Sequence, residues 1–387
     1  LDHYLETYGT ALYGLNKMIL MMEKQHNRGQ DGAGLAGIKM GMPPGKRYIT
    51  RYRSIEPKPM QDIYGRIQLS LAERLDGKPE RLKDAKWVKE NLPFACEIYM
   101  GHLRYGTHGE NSIEACHPFL RQSNFMSRNL IVAGNFNMTN TEELMEELVS
   151  FGQHPKVSTD TVTIMEKIGH FLDVENERLH EDAKTVHGLD KGHRSQFIAD
   201  NLDLNRVMKK ASEVWDGGYA MGGMIGQGDG FLLRDPNGIR PAYYYVDDEV
   251  AVVASERPVI QTAFGLTFDQ VKEVPPGHMV WIRKNGDLSI EKILTPKERL
   301  ACSFERIYFS RGNDGDIYKE RIELGRRLTR RVMEASGGNF DHTVFSFIPN
   351  TAEISYMGLV QGAEDLLNEL KAKAIIGLGK SPKEKDV

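Results

Sequence analysis

A single arginine set among glycines, Gly101-His102-Leu103-Arg104-Tyr105-Gly106-Thr107-His108-Gly109, follows the apolar run Ile98-Tyr99-Met100. An arginine at the frayed end of a strand can point its planar fork into a pocket. There it can hold a carboxylate through two parallel charge-assisted hydrogen bonds, a geometry that lysine does not reproduce. Gly106 and Gly109 let the backbone approach a small ligand, and Thr107 adds a hydroxyl on the same loop. Two later stretches carry complementary chemistry. Ala133-Gly134-Asn135-Phe136-Asn137 offers a side-chain amide, and Ser158-Thr159-Asp160-Thr161 offers a carboxylate. Each also has an ordinary reading: a surface turn for Arg104, a strand-end turn for Asn135, and an N-terminal helix acid for Asp160.

The elements that must position these residues follow from periodicity. Tyr4, Tyr8, Leu12, Leu15, Ile19 and Met22 recur at helical spacing and predict an amphipathic helix over 2–24. Residues 42–95 are polar and read as a loop followed by one or two surface helices. Short apolar strands are expected at 98–104, 129–135, 219–226, 230–234, 241–246, 250–254 and 278–283. Helices are expected at 141–151, 160–172, 203–215 and 257–264. Asp235-Pro236-Asn237-Gly238 predicts a hairpin, because Asn-Gly accepts the positive φ of a tight turn. Many antiparallel strands with segregated helices point to an α+β fold of stacked sheets covered by helices. Beyond a boundary near 290, a charged helix is expected over 318–336, with Ile322, Leu324, Leu328 and Val332 on its apolar positions. A buried strand at Val344–Ile348 and a helix over 353–372 come next.

Composition narrows the function classes. A net charge of −4 over 387 residues gives no reason to expect nucleic acid as a partner. Three widely spaced cysteines, Cys96, Cys116 and Cys302, argue against a disulfide framework and fit a reducing, cytoplasmic setting. No run is long and apolar enough to span a bilayer, so no membrane partner is expected. The sequence opens at Leu1 rather than Met, as a trimmed, processed or partial chain would.

In their order along the chain, Gln25-His26-Asn27-Arg28-Gly29-Gln30-Asp31-Gly32, the Arg104 stretch, the Asn135 stretch, Ser158-Thr159-Asp160-Thr161 and Arg234-Asp235-Pro236-Asn237-Gly238-Ile239-Arg240-Pro241 resemble the class II, N-terminal nucleophile, glutamine amidotransferases. Ala254-Ser255-Glu256, Pro275-Pro276-Gly277 and Cys302-Ser303-Phe304-Glu305-Arg306-Ile307-Tyr308-Phe309-Ser310-Arg311 favour the amidophosphoribosyltransferase branch. The resemblance implies a four-layer αββα glutaminase domain over 1–290, a connector over 291–317, and the start of an α/β phosphoribosyltransferase domain over 318–387. It also implies site roles. Arg104 and Thr107 take the α-carboxylate of glutamine and Asp160 its α-ammonium. Asn135 and the backbone N–H of Phe136 hold the oxyanion, and His117 stands among the substrate contacts. Phe136 departs from the family's glycine, and Asn27 splits the usual Gln-His-Arg-Gly.

The family's nucleophile is an N-terminal cysteine ahead of the first helix, using its own α-amine as base. The written sequence does not include it, so this polypeptide alone is expected to be inactive as a glutaminase. Cys96, Cys116 and Cys302 read as structural, and no metal role is expected for them. The complete enzyme implied by the resemblance joins glutamine-derived ammonia to phosphoribosyl pyrophosphate, yielding phosphoribosylamine for purine synthesis. Mg²⁺ is expected only with the complete transferase domain, no cofactor is expected in this chain, and a homo-oligomer is expected. Two rivals remain open: an inactive glutamine-binding regulatory module, and a sibling glutamine–sugar-phosphate aminotransferase.

Overall fold

The computed structural model describes residues 1–106, 112–155, 157, 159–338 and 342–377. They divide into two compact units, Leu1–Cys302 and Ser303–Val387. The first unit begins with helices α1 (Asp2–Tyr8) and α2 (Tyr13–Lys24), strands β1 (Gly32–Ile38) and β2 (Ile49–Ser54), helices α3 (Pro59–Leu75) and α4 (Ala85–Asn91), and strands β3 (Ile98–Arg104), β4 (Phe119–Arg121) and β5 (Leu130–Met138). Helices α5 (Thr141–Ser150), α6 (Asp160–Thr185), α7 (Lys191–Asn201) and α8 (Leu204–Ser212) come next. After them run β6 (Gly217–Ile225), β7 (Gly230–Arg234), β8 (Tyr243–Val246), β9 (Ala251–Ala254), α9 (Arg257–Phe264), β10 (Lys272–Glu273), β11 (His278–Ile282) and β12 (Leu288–Lys292). The second unit is built on α10 (Gly315–Ala335) and α11 (Glu353–Gly377).

Strand alternation sorts the first unit into layers. Six antiparallel strands form one sheet in the order β12-β11-β7-β6-β5-β4, and two three-stranded sheets run β2-β1-β3 and β10-β8-β9. On β5, Leu130 and Val132 face a helical layer with Ile164, Ile168 and Leu172 of α6 and Leu204 and Met208 of α8, whereas Ile131 faces Ala36, Ile38 and Met100 of the β2-β1-β3 sheet. On the far side of that smaller sheet, Ala33 and Leu35 pack on Leu15 and Met22 of α2 and on Ile63 and Ile67 of α3. The β10-β8-β9 sheet packs Tyr244 and Val253 against Leu232 and Val280 of the large sheet and is covered by α9. The order helix, sheet, sheet, helix is the αββα stacking that the resemblance implies. Leu35, Ile38, Leu130 and Ile131 are fully buried in it, each worth about 1.5–3 kcal/mol of transfer from water.

Several expectations need correction. The helix over 2–24 is two helices, because the chain turns at Gly9 and Thr10. The stretch read as a loop plus surface helices contains β2, and β1 had no strand signal because glycines and alanines fill it. Helix α6 runs thirteen residues beyond 172, and α7 was not anticipated. The Asp235–Gly238 turn forms, but not as a hairpin. β7 pairs with β6 and β11, and β8 with β9 and β10, so the turn carries the chain from one sheet to another. Buried Asp235 shapes that passage by accepting from the backbone N–H of Asn237, Ile239 and Arg240.

In the second unit, Val344–Ile348 is no buried strand: Val344 is 94% and Ile348 82% exposed. The strand–turn–helix expected to open a phosphoribosyltransferase domain is therefore not formed here. Helix α10 also faces differently from its apolar pattern. Ile317, Arg321, Gly325, Thr329 and Met333 are buried, while Leu324 and Leu328 are exposed. The reason is close backbone packing on α11: a Cβ at Gly358 would lie 2.0 Å from the carbonyl oxygen of Ile322, and one at Gly325 1.8 Å from that of Ser355.

Candidate functional site

The site grows from the ends of three elements. Along β3, Ile98 and Met100 face the space between the two sheets and Tyr99 and Leu103 face the helices. Alternation therefore turns His102 and Arg104 into the same inter-sheet space. Along β5, Ile131 faces that space, so Ala133 and Asn135 do too. Arg104 and Asn135 thus share one cleft, at the end where the strands run out. Arg104 is buried at 7% exposure, and its carbonyl accepts from the N–H of Asp31. The Asp31 carboxylate in turn accepts the N–H of Gly106 at 2.7 Å, which fixes the departure of the loop after β3. Thr107 lies outside the described residues.

Asp160 is the first residue of α6. The N-cap role belongs to its neighbour, since Thr159 Oγ1 accepts the N–H of Val162. Asp160 Oδ1 accepts the N–H of Thr161 at 2.7 Å. Arg121 on β4 secures this helix to the sheet by lying across Gly169 and pairing with Glu166 and Asp173.

Two histidines connect these pieces. Their rings stack with centroids 4.3 Å apart and 17° between planes. The His102 ring meets the Gly134 carbonyl through Nε2 at 3.1 Å, and Gly134 N–H donates to His117 Nδ1 at 3.3 Å. A carbonyl only accepts, so His102 Nε2 carries a proton; an amide N–H only donates, so His117 Nδ1 accepts and that ring is neutral with its proton on Nε2. His117 Nε2–H then faces Thr161 Oγ1 at 3.3 Å, and that hydroxyl donates to Asp160 Oδ1. The two rings thus engage both backbone polar groups of Gly134, the residue immediately before Asn135. The relay finishes on the Asp160 carboxylate.

The electrostatics agree with that assignment. Burial lowers the His102 imidazole to about 4, with nearby Arg104 lowering it further. Burial, His102, Arg104 and Arg53 hold His117 well below the usual imidazole range. His117, expected among the substrate contacts, has both nitrogens engaged inside the protein. Sequence reading gave His102 no role, although its place two residues before Arg104 in a strand puts it on the same face. Thr161 was quoted only as part of its motif.

Phe136 sits on the opposite face of β5, packed on the helical layer and against His117 with centroids 5.8 Å apart. Its ring tip lies 2.9 Å from where a Cβ on Gly134 would be, so the phenyl fills the space that residue 134 leaves. β1 approaches so closely that a Cβ on Gly34 would fall 1.9 Å from the His117 carbonyl oxygen.

The cysteines stand apart from this relay. Burial raises the thiol of Cys116, which donates to the Ala33 carbonyl at 3.3 Å, and pushes Cys96 up to about 12. Neither is poised as a thiolate. Arg28 pairs with buried Glu256 at 3.3 Å, a packing role. Among the described residues, no three His, Cys, Asp or Glu side chains converge as metal ligands, and no helix is long and apolar enough to cross a membrane.

A sequence model of the family described as Glutamine amidotransferases class-II matches residues 90–299. The chain is 27% identical over 263 residues to an amidophosphoribosyltransferase of Pasteurella multocida, covering 65% of this chain and 47% of that protein. It is 28% identical over 237 residues to that of Archaeoglobus fulgidus, covering 60% and 44%. The chain thus spans about half the length of the curated relatives it matches. Glutamine phosphoribosylpyrophosphate amidotransferase from B. subtilis, solved with ADP and GMP, superposes with a TM-score of 0.61 at 20% identity, over 90% of this chain and 61% of that one. A structure described as the allosteric regulatory enzyme of purine biosynthesis gives 0.61 at 21% identity, over 90% and 60%. At these identities the structural likeness is one of fold.

Proposed function

The chain belongs to the class-II glutamine amidotransferases, and from that membership we propose that it is the glutamine-binding and amide-hydrolysing part of an amidophosphoribosyltransferase. One observation carries the reading: Arg104 and Asn135 face the same inter-sheet cleft, with Asp160 tied to Asn135's strand through Thr161 and His117. Arg104 takes the α-carboxylate of glutamine through its fork, and Asp160 takes the α-ammonium. The side-chain amide goes deeper, toward Asn135, where the oxyanion of the tetrahedral intermediate forms.

A donor pair for that oxyanion follows from strand geometry. Gly134 N–H points away from β6, toward His117. N–H directions alternate along a strand, so Phe136 N–H points to the same side. β4 pairs with β5 only up to Val132, which leaves that side open to a ligand at Phe136. The attacking thiolate comes from a cysteine ahead of α1, as the family resemblance implies, since Cys96 and Cys116 are buried thiols with raised pKa. The ammonia released then displaces pyrophosphate at C1 of phosphoribosyl pyrophosphate in the complete protein.

Calorimetry with glutamate tests the binding half directly. Arg104→Ala should abolish measurable affinity, because a charge-assisted bond to a carboxylate contributes about 1.5–3 kcal/mol. Arg104→Lys should fail as well, since a point charge does not replace the fork. Unchanged glutamate affinity in Arg104→Ala would remove the assignment.

A further inference from the structure

At the side edge of the sandwich, where β2 and β4 are both terminal strands, a solvent-open cavity of 470 Å³ lies between the segment 46–51 and the segment 120–129. Three cations line it: Lys46, Arg47 and Arg51. No carboxylate lines it, although the whole chain carries a net charge of −4. Acids on the neighbouring helix α6 are paired with other arginines. Glu166 and Asp173 pair with Arg121, and Asp173 and Glu177 with Arg128.

Ile49 and Leu120 give the neutral part of the wall an apolar stretch, and its polar side chains add donors. The Tyr48 hydroxyl accepts from Asn129 Nδ2 at 2.6 Å, and its own hydrogen has no acceptor among the described residues. The Ser123 hydroxyl accepts the N–H of Phe125, which leaves its O–H to be donated. Gln122 adds a side-chain amide to the lining.

Each of the two guanidinium groups has one backbone anchor. Arg47 Nε donates to the Ile49 carbonyl at 3.0 Å and Arg51 Nη1 to the Pro118 carbonyl at 3.2 Å. Each bond fixes one N–H and leaves the remaining donors of the fork without an acceptor among the described residues. Burial disfavours the Arg51 charge, and neighbouring Arg53 disfavours it further. A half-buried, uncompensated guanidinium is destabilising in the empty protein and becomes favourable when an anion occupies the cavity.

We propose that this cavity binds a small phosphorylated compound, with Arg47, Arg51 and Lys46 on the phosphate oxygens, Tyr48, Gln122 and Ser123 adding donors, and Ile49 and Leu120 against its apolar part. Phosphate suits such a wall because its oxygens only accept and carry more than one charge, and because planar guanidinium forks match them in pairs. The volume exceeds what inorganic phosphate needs and falls in the range of small-molecule sites. The site is separate from the glutamine cleft, although Arg51 touches the carbonyl that follows His117.

Titration calorimetry of this chain with pyrophosphate, and in parallel with citrate, tests the assignment. Pyrophosphate should bind saturably, at least tenfold more tightly than citrate, and more weakly as salt rises. Arg51→Gln and Arg47→Gln should each lower the affinity at least tenfold. Arg47 is exposed and outside the core, so Arg47→Gln keeps the test decisive if Arg51→Gln folds poorly. Absence of saturable binding, binding unchanged in Arg47→Gln, or citrate binding as tightly as pyrophosphate would each overturn the proposal. None of these readouts depends on glutamine, so failure here leaves the amidotransferase reading untouched.

Discussion

Replacing His102 with glutamine should flatten the acid side of the stability profile. His102 is neutral in the folded protein, its pKa lowered from 6.5 to about 4 by burial, with Arg104 beside it and the His117 ring stacked on it. The unfolded chain binds a proton at His102 below about pH 6.5, and the folded chain does not until near pH 4. The unfolded state therefore carries more bound protons across that window, and stability must fall as pH falls through it. At about 1.4 kcal/mol per pH decade, the full effect is about 3 kcal/mol, of which about 2.5 kcal/mol arrives between about pH 7 and pH 4.5. A glutamine amide can still donate to the Gly134 carbonyl but does not titrate. Urea unfolding at a series of pH values should show the parent losing about 2–3 kcal/mol more than His102→Gln over that window. Imidazole NMR signals should show His102 uncharged at about pH 5, well below its ordinary pKa. Parallel stability curves for parent and variant, or an imidazolium signal at pH 5, would refute the clamped neutral pair.

Three further outcomes can be measured. In the complete enzyme, Asn135→Ala should lower kcat about 10²–10³-fold with little change in glutamine affinity, because an oxyanion donor acts in the transition state; a regulatory module would bind glutamine and turn over nothing, even before substitution. Gly34→Ala should cost about 2–3 kcal/mol in a denaturant melt, since its Cβ would fall 1.9 Å from the His117 carbonyl oxygen and backbone rather than a flexible side chain would have to move. Gly358→Ala should separate α10 from α11, read as a lower melting temperature for the second unit with glutamate binding by the first unchanged.

What could be read from the sequence was set by how locally each feature is encoded. Strands that carry a short apolar run, such as Ile98–Met100 in β3 and Phe231–Leu233 in β7, sit where their residues predict. β1 escaped notice because Gly32, Gly34 and Gly37 are chosen for close approach to Cys116, His117 and Cys96, a tertiary requirement with no periodic trace. Asp235-Pro236-Asn237-Gly238 encodes a reversal but not which strand receives the chain afterwards. That depends on the passage between sheets, which Asp235 and Arg234 organise from inside the core. Leu324 and Leu328 misled for a related reason. Small residues let α10 and α11 approach backbone to backbone, so the contact face is marked by Gly325, Thr329 and Gly358 rather than by leucines. Arg104, Asn135 and Asp160 could be singled out because their types announce chemistry. His102 and Thr161 act only through others, and no residue type announces that.

The phenylalanine at 136 is the sharpest departure from the family pattern, and alternation in β5 explains how the site can accommodate it. Side chains at 134 and 136 share the helical face, and those at 133 and 135 share the inter-sheet cleft. A bulky residue at 136 therefore does not enter the inter-sheet space that Arg104 and Asn135 face. It enters the space above residue 134, where a Cβ would be 2.9 Å from the ring tip and 2.5 Å from the Ala220 carbonyl oxygen. Glycine at 134 and phenylalanine at 136 are thus a matched pair. The ring also supports His117 from the helical side while His102 supports it from the cleft. The backbone N–H of residue 136 is unaffected by its own side chain and points with that of Gly134 toward the open end of β4. A change at 136 should consequently act through the His117 ring and the stability of the relay, and leave the direction of the residue 136 N–H unchanged.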